Sequence, residues 1–268
     1  MKKGRLDSLL VNRGLVASRE RAKRMIMAGE VLVDEQKVDK AGALVKPEVK
    51  IRLLVSDIPY VSRGGLKLEK AIRTFPLALR GKVAADIGAS TGGFTDCMLQ
   101  NGVRKVFAID VGYGQLAWKL RTDERVINME RTNIRKVTSE VIGELLDFAS
   151  IDVAFISLTK VLDVAFSLLN AKGEVVALIK PQFEAGREYV GKKGVVRDPQ
   201  VQEDVIQKIM AFSNEIGLVP VALTFSPVKG PEGNIEYLAH LKRTEHGMRP
   251  PLLNVAEIVR AAHTALDR

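Results

Sequence analysis

The chain has little from which to build a metal centre or a disulfide framework. Its 268 residues include one cysteine, Cys97, and three histidines, His240, His246 and His263, with no ligand spacing among them. Cys97 reads as a small core residue and the histidines as packing or solvated groups, so no metal site is expected. No apolar run approaches the roughly 18 residues that a membrane helix needs. The basic start, Met1-Lys2-Lys3-Gly4-Arg5, is not followed by the long apolar segment of a signal peptide. The expectation is a cytoplasmic protein without stable membrane association. Aromatic residues are scarce at 5%, and none precedes Tyr60, so an N-terminal nucleic-acid binder could not rely on base stacking.

Positive charge, in contrast, is in excess. The net charge is +9, and residues 1–60 hold 13 Lys and Arg against 8 Asp and Glu. Such a surface attracts polyanions, nucleic acid first among them. A hydrophobic fraction of 46% over this length allows one large core and one small one.

The small unit is expected over residues 1–57. Leu6, Leu9 and Leu10 recur at helical spacing up to Gly14, and Ser18 is placed to cap a second helix with Ala22, Met25 and Ile26 as its apolar stripe. The opposite face carries Arg19, Arg21, Lys23 and Arg24, and short strands are expected at 31–33 and 51–55. A linker around Ser56-Asp57-Ile58-Pro59 leads to the second unit, 58–268. There, strand-like runs at 82–86, 105–109, 126–128, 151–155, 174–179, 219–225 and 235–241 alternate with helical patterns. That pattern predicts an α/β, Rossmann-like, mostly parallel sheet with helices on both faces. Ligands of such sheets bind beyond the carboxyl ends of the strands, where Asp86, Asp110, Asp152 and Lys180 are expected to converge. Leu252 to Leu266 reads as an amphipathic helix.

Within this unit the most informative segment is Asp86-Ile87-Gly88-Ala89-Ser90-Thr91-Gly92-Gly93-Phe94-Thr95-Asp96, a strand end, a glycine turn and a helix start. Glycines let backbone approach a ligand closely. Asp110 closes the next strand, 24 positions after Asp86. The glycine spacing is not that of a dinucleotide fingerprint, and a P-loop lysine is missing. Carboxylates on both sides of the loop suit a ligand with a cation at one end and a ribose diol at the other, as in S-adenosylmethionine. Four further residues stand out: Lys67 on the leading helix, Asp152 opening an apolar run, Lys180 ending one beside Pro181, and Glu236 in a turn before the last strand.

These residues carry a resemblance. Arg5-Leu6-Asp7, Leu10, Arg13-Gly14, Ser18-Arg19, Ala22, Ile26, Gly29 and Val31-Leu32-Val33 resemble the S4 RNA-binding module. Ser62-Arg63-Gly64, the glycine loop and Lys67, Asp152, Lys180 and Glu236 resemble the FtsJ-type RNA ribose 2′-O-methyltransferases, whose catalytic set is Lys-Asp-Lys-Glu in that order. The whole chain is similar to the TlyA family, also labelled haemolysin-like. Its linker, Asp57-Ile58-Pro59-Tyr60-Val61, lacks the Arg-x-Trp-Val of some members.

The resemblance implies S-adenosylmethionine-dependent methylation of a ribose 2′-hydroxyl, of cytidine, in ribosomal RNA or ribosomal subunits. It implies that Lys180 is the base and Lys67 positions the ribose, with burial and the closeness of the two lysines depressing both pKa values, while Asp152 and Glu236 orient both ammonium groups. Gly88, Gly92 and Gly93 would face the methionine part of the cofactor, with Asp152 at its amine, Asp110 the ribose hydroxyls, and Arg131, Thr132 and Asn133 the adenine; Asp86, Ser90, Thr91, Phe94 and Val111 are further cofactor contacts. RNA contacts fall to Arg5, Arg13, Ser18, Arg19, Lys23, Arg24 and Arg63, and to Lys192 and Lys193 in a basic loop from Gly186 to Pro199. Lys229 to Gly233 reads as a second rim. A monomer is compatible with all of this. The alternatives are an RNA-binding assembly or regulatory factor with little turnover, against which the intact tetrad speaks, and a membrane-lytic haemolysin, which finds no membrane segment in the sequence.

Overall fold

A computed structural model describes residues 3–16, 18–54, 58–244 and 249–267. The chain divides into two compact units, Met1–Pro59 and Tyr60–Arg268. Ser56 and Asp57 of the expected linker, Val55 at the end of an expected strand, and His246 lie outside the described residues.

The first unit packs helices Leu6–Asn12 and Arg19–Met27 against a three-stranded antiparallel sheet, in which Val31–Val33 lies between Gln36–Lys37 and Ile51–Leu53. Leu6, Leu10, Ala22 and Ile26 are wholly buried, as their 3–4 spacing requires. Ser18 caps the second helix by accepting from the Arg21 N–H at 3.3 Å.

The second unit is a seven-stranded sheet. Its strands are β1 (Val83–Ile87), β2 (Lys105–Ile109), β3 (Val126–Met129), β4 (Leu146–Ile151), β5 (Leu169–Ile179), β6 (Leu218–Phe225) and β7 (Tyr237–Arg243). They lie in the order β6-β7-β5-β4-β1-β2-β3, with β7 antiparallel to both neighbours. Helices α1 (Gly64–Thr74), α2 (Gly93–Gln100), α3 (Leu162–Leu168), α4 (Pro199–Glu215) and α5 (Val255–Leu266) accompany it. The β-runs are apolar over most of their length because helices cover the sheet. Ala85, Ala149, Ile151, Val175 and Ala177 are each 0% exposed.

Chain order reverses between β1 and β4, which makes their carboxyl ends the place where a crevice opens. Among the described residues, no helix is long and apolar enough to cross a membrane. Cys97 is buried and unpaired by disulfide. His240 is buried and stacks on Phe75 with ring centroids 5.5 Å apart.

β5 begins at Leu169, five residues before the expected 174–179, β7 runs from 237 to 243 instead of 235 to 241, and two further boundaries need correction. The fourth strand is 146–151, not 151–155: its last pairs, Ile151 with Ile87 and with Ala177, exhaust the ladder, and the chain must leave the sheet at the crevice. Asp152 therefore follows the strand instead of opening it. Phe155, apolar and β-prone, is 92% exposed in a left-handed backbone conformation (φ 62°). The C-terminal helix begins at Val255, and Leu252 is fully exposed before it.

Candidate active site

The carboxyl ends of β1, β4 and β5, the start of α1 and the β6–β7 loop enclose a cavity of about 370 Å³. Arg63, Lys67, Asp86, Gly88, Ser90, Thr91, Gly93, Phe94, Asp152, Lys180 and Glu236 all line it. The four tetrad residues form one chain of charges. Lys67 Nζ lies 2.7 Å from Glu236 Oε2 and 3.5 Å from Asp152 Oδ2, and Lys180 Nζ lies 2.6 Å from Asp152 Oδ1. Glu236 is 1% exposed, so its charge depends on Lys67 for compensation.

The two lysines are not equivalent. Burial pulls the Lys67 ammonium toward neutrality, but Asp152 and Glu236 together outweigh it, and the net shift is upward. The expected mutual depression is therefore not found at Lys67. Its position between two carboxylates makes it the fixed cation of the site.

The glycine loop has a distinct reason at each glycine. Gly88 (φ 86°) runs against β4's exit: a Cβ there would lie 2.9 Å from the Asp152 carbonyl carbon and closer to its oxygen. The Asp152 N–H in turn donates to the Ile87 carbonyl at 2.9 Å. Gly92 (φ 94°) faces Leu116 and Leu120, away from the cavity, and Gly93 lies where α2 meets Ser62 and Gly65 at the start of α1. Beyond the glycines, Asp96 in α2 accepts from the Val61 N–H at 2.8 Å and pairs with Lys119, so the segment before α1 is anchored to α2.

Asp86 is 0% exposed within β1. It accepts from the Thr95 N–H (2.8 Å) and hydroxyl (2.6 Å) and from Ser150 (3.3 Å). Burial pushes its carboxyl up to about 7, against the Thr95 hydrogen bonds and with a further push from the nearby Asp152 charge. A carboxyl raised on folding stabilises the folded state fully below the ordinary carboxylate range, and that contribution is lost as pH rises through about 7. The Asp86→Asn variant should therefore show a flatter fall in denaturation midpoint between about pH 4 and 7 than the parent. Identical pH profiles of the two proteins would refute this.

Asp110 follows β2 and accepts from the Ser90 N–H and the Gly112 N–H, both at 2.7 Å. It pins the glycine loop to the β2 loop. Gly92, Asp110, Val111, Arg131, Thr132 and Asn133 do not line the cavity. Arg131 (φ 53°) lies over the Tyr113 ring at 4.0 Å, and the Thr132 N–H donates to the Asp110 carbonyl at 2.8 Å. This second cluster adjoins the loop on the β2–β3 side.

In the first unit, Arg5 (2.8 Å) and Arg19 (3.3 Å) both reach Asp7. The Arg5 guanidinium holds the Asp7 carboxyl well below the usual carboxylate range despite its burial, and Arg19 adds to this. Arg13 donates to the Val49 and Pro47 carbonyls, and Lys23 pairs with Glu20 at 2.8 Å. Arg13 and Ser18 thus hold the unit's own backbone in place. Arg24, Arg63, Lys192 and Lys193 are exposed.

Sequence reasoning passed over Phe155 and Phe183. Their rings are 5.0 Å apart, and the Phe183 ring lies 5.8 Å from Lys180 Nζ. Glu184 fixes this geometry by accepting from the Ser157 hydroxyl (2.6 Å) and the Leu158 N–H (2.7 Å), which ties the loop after Asp152 to the turn after Lys180. Burial raises the Glu184 carboxyl, opposed by those same bonds. The available signal was length: 146–151 already suffices for a strand, which leaves Phe155 beyond it. Asn234 was also missed. Nearly buried, it accepts from the Val196 N–H (3.0 Å) and donates to the Gly194 carbonyl (2.8 Å), joining the basic loop to the turn that carries Glu236.

Comparison with known proteins places this geometry among relatives. Residues 60–243 match the family model described as FtsJ-like methyltransferase, and residues 4–51 match the S4 domain. The chain is 50% identical to the YqxC protein of Bacillus subtilis (strain 168), provisionally named an rRNA methyltransferase, over 99% of this chain and 96% of that one. It is 41% identical to the 16S/23S rRNA (cytidine-2'-O)-methyltransferase TlyA of Mycobacterium tuberculosis (strain ATCC 25618 / H37Rv), over 90% of each chain. A solved structure from Streptococcus thermophilus, provisionally called a hemolysin, is 45% identical with a TM-score of 0.80, covering 100% of this chain and 98% of that chain.

Proposed function

Because the chain belongs to the FtsJ-like methyltransferase family and carries an S4 domain ahead of that fold, we propose that it methylates the ribose 2′-hydroxyl of cytidine in ribosomal RNA, with S-adenosylmethionine as donor. The observation that carries the reading is the unbroken Glu236–Lys67–Asp152–Lys180 chain beside the glycine loop. The name of the M. tuberculosis relative supports the choice of nucleotide and RNA.

The residues present fit the cofactor. Residues 88–91 line the cavity, the lack of a side chain at Gly88 lets them close on the Asp152 backbone, and carboxylates line or adjoin the loop, as a cationic ligand without phosphate requires. Asp152 and the 88–91 backbone would hold the methionine end, and Asp110 with the Arg131–Asn133 stretch the adenosine end. Bound there, S-adenosylmethionine supplies a methyl group on a sulfonium, a good leaving group. The protein's own tasks are to orient and deprotonate. Lys67, fixed as a cation, binds the ribose, and Lys180 Nζ takes the hydroxyl proton. Asp152 bridges both lysines and so sets the angle between them. Most of the rate then comes from alignment of the reacting atoms.

Phe155 is the exposed face on which the target base would stack, with Phe183 behind it. Stacking of one base contributes about 1–3 kcal/mol. Phe155→Ala should lower kcat/KM for RNA roughly 5- to 150-fold and leave cofactor affinity intact. The function itself is tested by incubating the purified protein with labelled S-adenosylmethionine and ribosomal subunits from a strain lacking the gene, then mapping 2′-O-methyl groups. A cytidine methylated only in the presence of the enzyme is expected. Methyl transfer to a base, or none to any RNA, would reject the reading.

A further inference from the structure

We propose that Lys229 contacts a backbone phosphate of the RNA at the mouth of the cavity, and that Asp267 holds it in reserve until RNA displaces it. The proposal rests on the function given above and adds a binding residue to it. The argument begins with where the cavity's charges are compensated. Lys67 and Lys180 are neutralised inside it by Asp152 and Glu236. Lys229 also lines the cavity, but its carboxylate, Asp267, does not: Lys229 Nζ reaches Asp267 Oδ1 at 2.6 Å, just beyond the end of α5. When that pair opens, the rim gains a cation and the catalytic centre keeps its balance.

A ribose presented to Lys180 carries a phosphodiester on each side. Arg63, exposed at the start of α1, and Lys229, on the β6–β7 loop, are the rim cations available to those two phosphates.

The exchange is physically easy. The side chains of Lys229 and Asp267 are 30% and 48% exposed, so water screens their attraction. Asp267 is not orphaned by the exchange, because its side chain is half exposed to water and His263 Nδ1 lies 2.6 Å from its other oxygen. The Lys229 backbone need not move. The next residue, Gly230, is held by its N–H to the Asn234 carbonyl at 2.9 Å, and a Cβ on it would stand 2.7 Å from Glu236 Oε1. The loop is thus packed against the Glu236 carboxylate at Gly230, and the Lys229 side chain can change partners without moving it.

The test is filter binding of unmethylated ribosomal RNA by the full chain, loaded with S-adenosylhomocysteine, over a range of salt. Lys229→Ala should reduce the magnitude of the log–log salt slope by about 0.7–0.9, the signature of one lost phosphate contact. Lys229→Arg should keep the parental slope. Asp267→Asn should bind RNA about two- to fivefold more tightly, because the competing carboxylate is gone. S-adenosylhomocysteine affinity should stay constant in all three. An unchanged slope in Lys229→Ala overturns the contact, and unchanged or weaker binding by Asp267→Asn overturns the reserve role. The parent is assayed for RNA binding and methyl transfer in parallel. If it binds without methylating, the function is wrong and Lys229 is judged on slope alone; if it methylates while the slopes coincide, only the present inference fails.

Discussion

Lys180→Ala should abolish methyl transfer, lowering kcat by about 10²–10⁴-fold, while S-adenosylhomocysteine still binds with parental affinity. The separation follows from position. Lys180 follows β5, and its ion pair is with Asp152, which keeps Lys67 at 3.5 Å as a partner. A base and a mere positive charge are distinguished by a second variant. Lys180→Arg preserves charge, but a guanidinium does not give up its proton, so it should be as inactive as alanine. Lys67→Arg should be affected less, because Lys67 serves as a permanent cation between Asp152 and Glu236. Parental turnover by Lys180→Arg, measured with labelled methyl donor under single-turnover conditions, would remove the base from Lys180.

Gly88→Ala should unsettle both halves of the site at once. The residue has φ 86°, and forcing a side chain into that region costs about 1–3 kcal/mol. The added Cβ would also strike the Asp152 carbonyl, whose own backbone is tied to Ile87 across the crevice. Asp152 must then shift, and it is the only tetrad residue in contact with both lysines. The expected result is a lower melting temperature together with at least about a tenfold loss of cofactor affinity, that is, about 1.4 kcal/mol. Gly114→Ala separates the two causes. Gly114 has a similar φ of 71°, with nothing within 4 Å of its Cβ position, so it carries the backbone strain without the collision. Equal loss of cofactor affinity in the two variants would show that the contact with Asp152 is immaterial.

Much of the fold was legible because its signals are local. Leu6, Leu10, Ala22 and Ile26 at helical spacing gave the small unit, and runs such as 105–109 gave strands of the larger one. The fourth strand was placed too late because Val153, Ala154 and Phe155 look as β-prone as Phe148, Ala149 and Ser150. Only the pairing of Ile151 with Ile87 and Ala177 ends the ladder where it does. For the same reason Phe155 was absorbed into a strand instead of being recognised at the edge of the site.

The site follows the same division. Residue types and spacing singled out Lys67, Asp152, Lys180 and Glu236, and the structure brings all four to one cavity. Chain position does not tell two lysines apart. What distinguishes them is that Lys67 meets two carboxylates and Lys180 one, a result of the angles at which α1, β5 and β7 deliver their side chains. The glycine-rich loop was equally plain as a motif, yet one of its glycines answers to Asp152, another to Leu116 and Leu120, and a third to the start of α1. By itself, the sequence determined the order of elements, the excess of positive charge and the chemical types that the cavity gathers, because composition and periodicity act over a few residues. Which lysine lies between two carboxylates, which aromatic ring stands exposed after β4 and which glycine abuts the Asp152 carbonyl were decided by tertiary structure alone, because each depends on atoms brought together from distant parts of the chain.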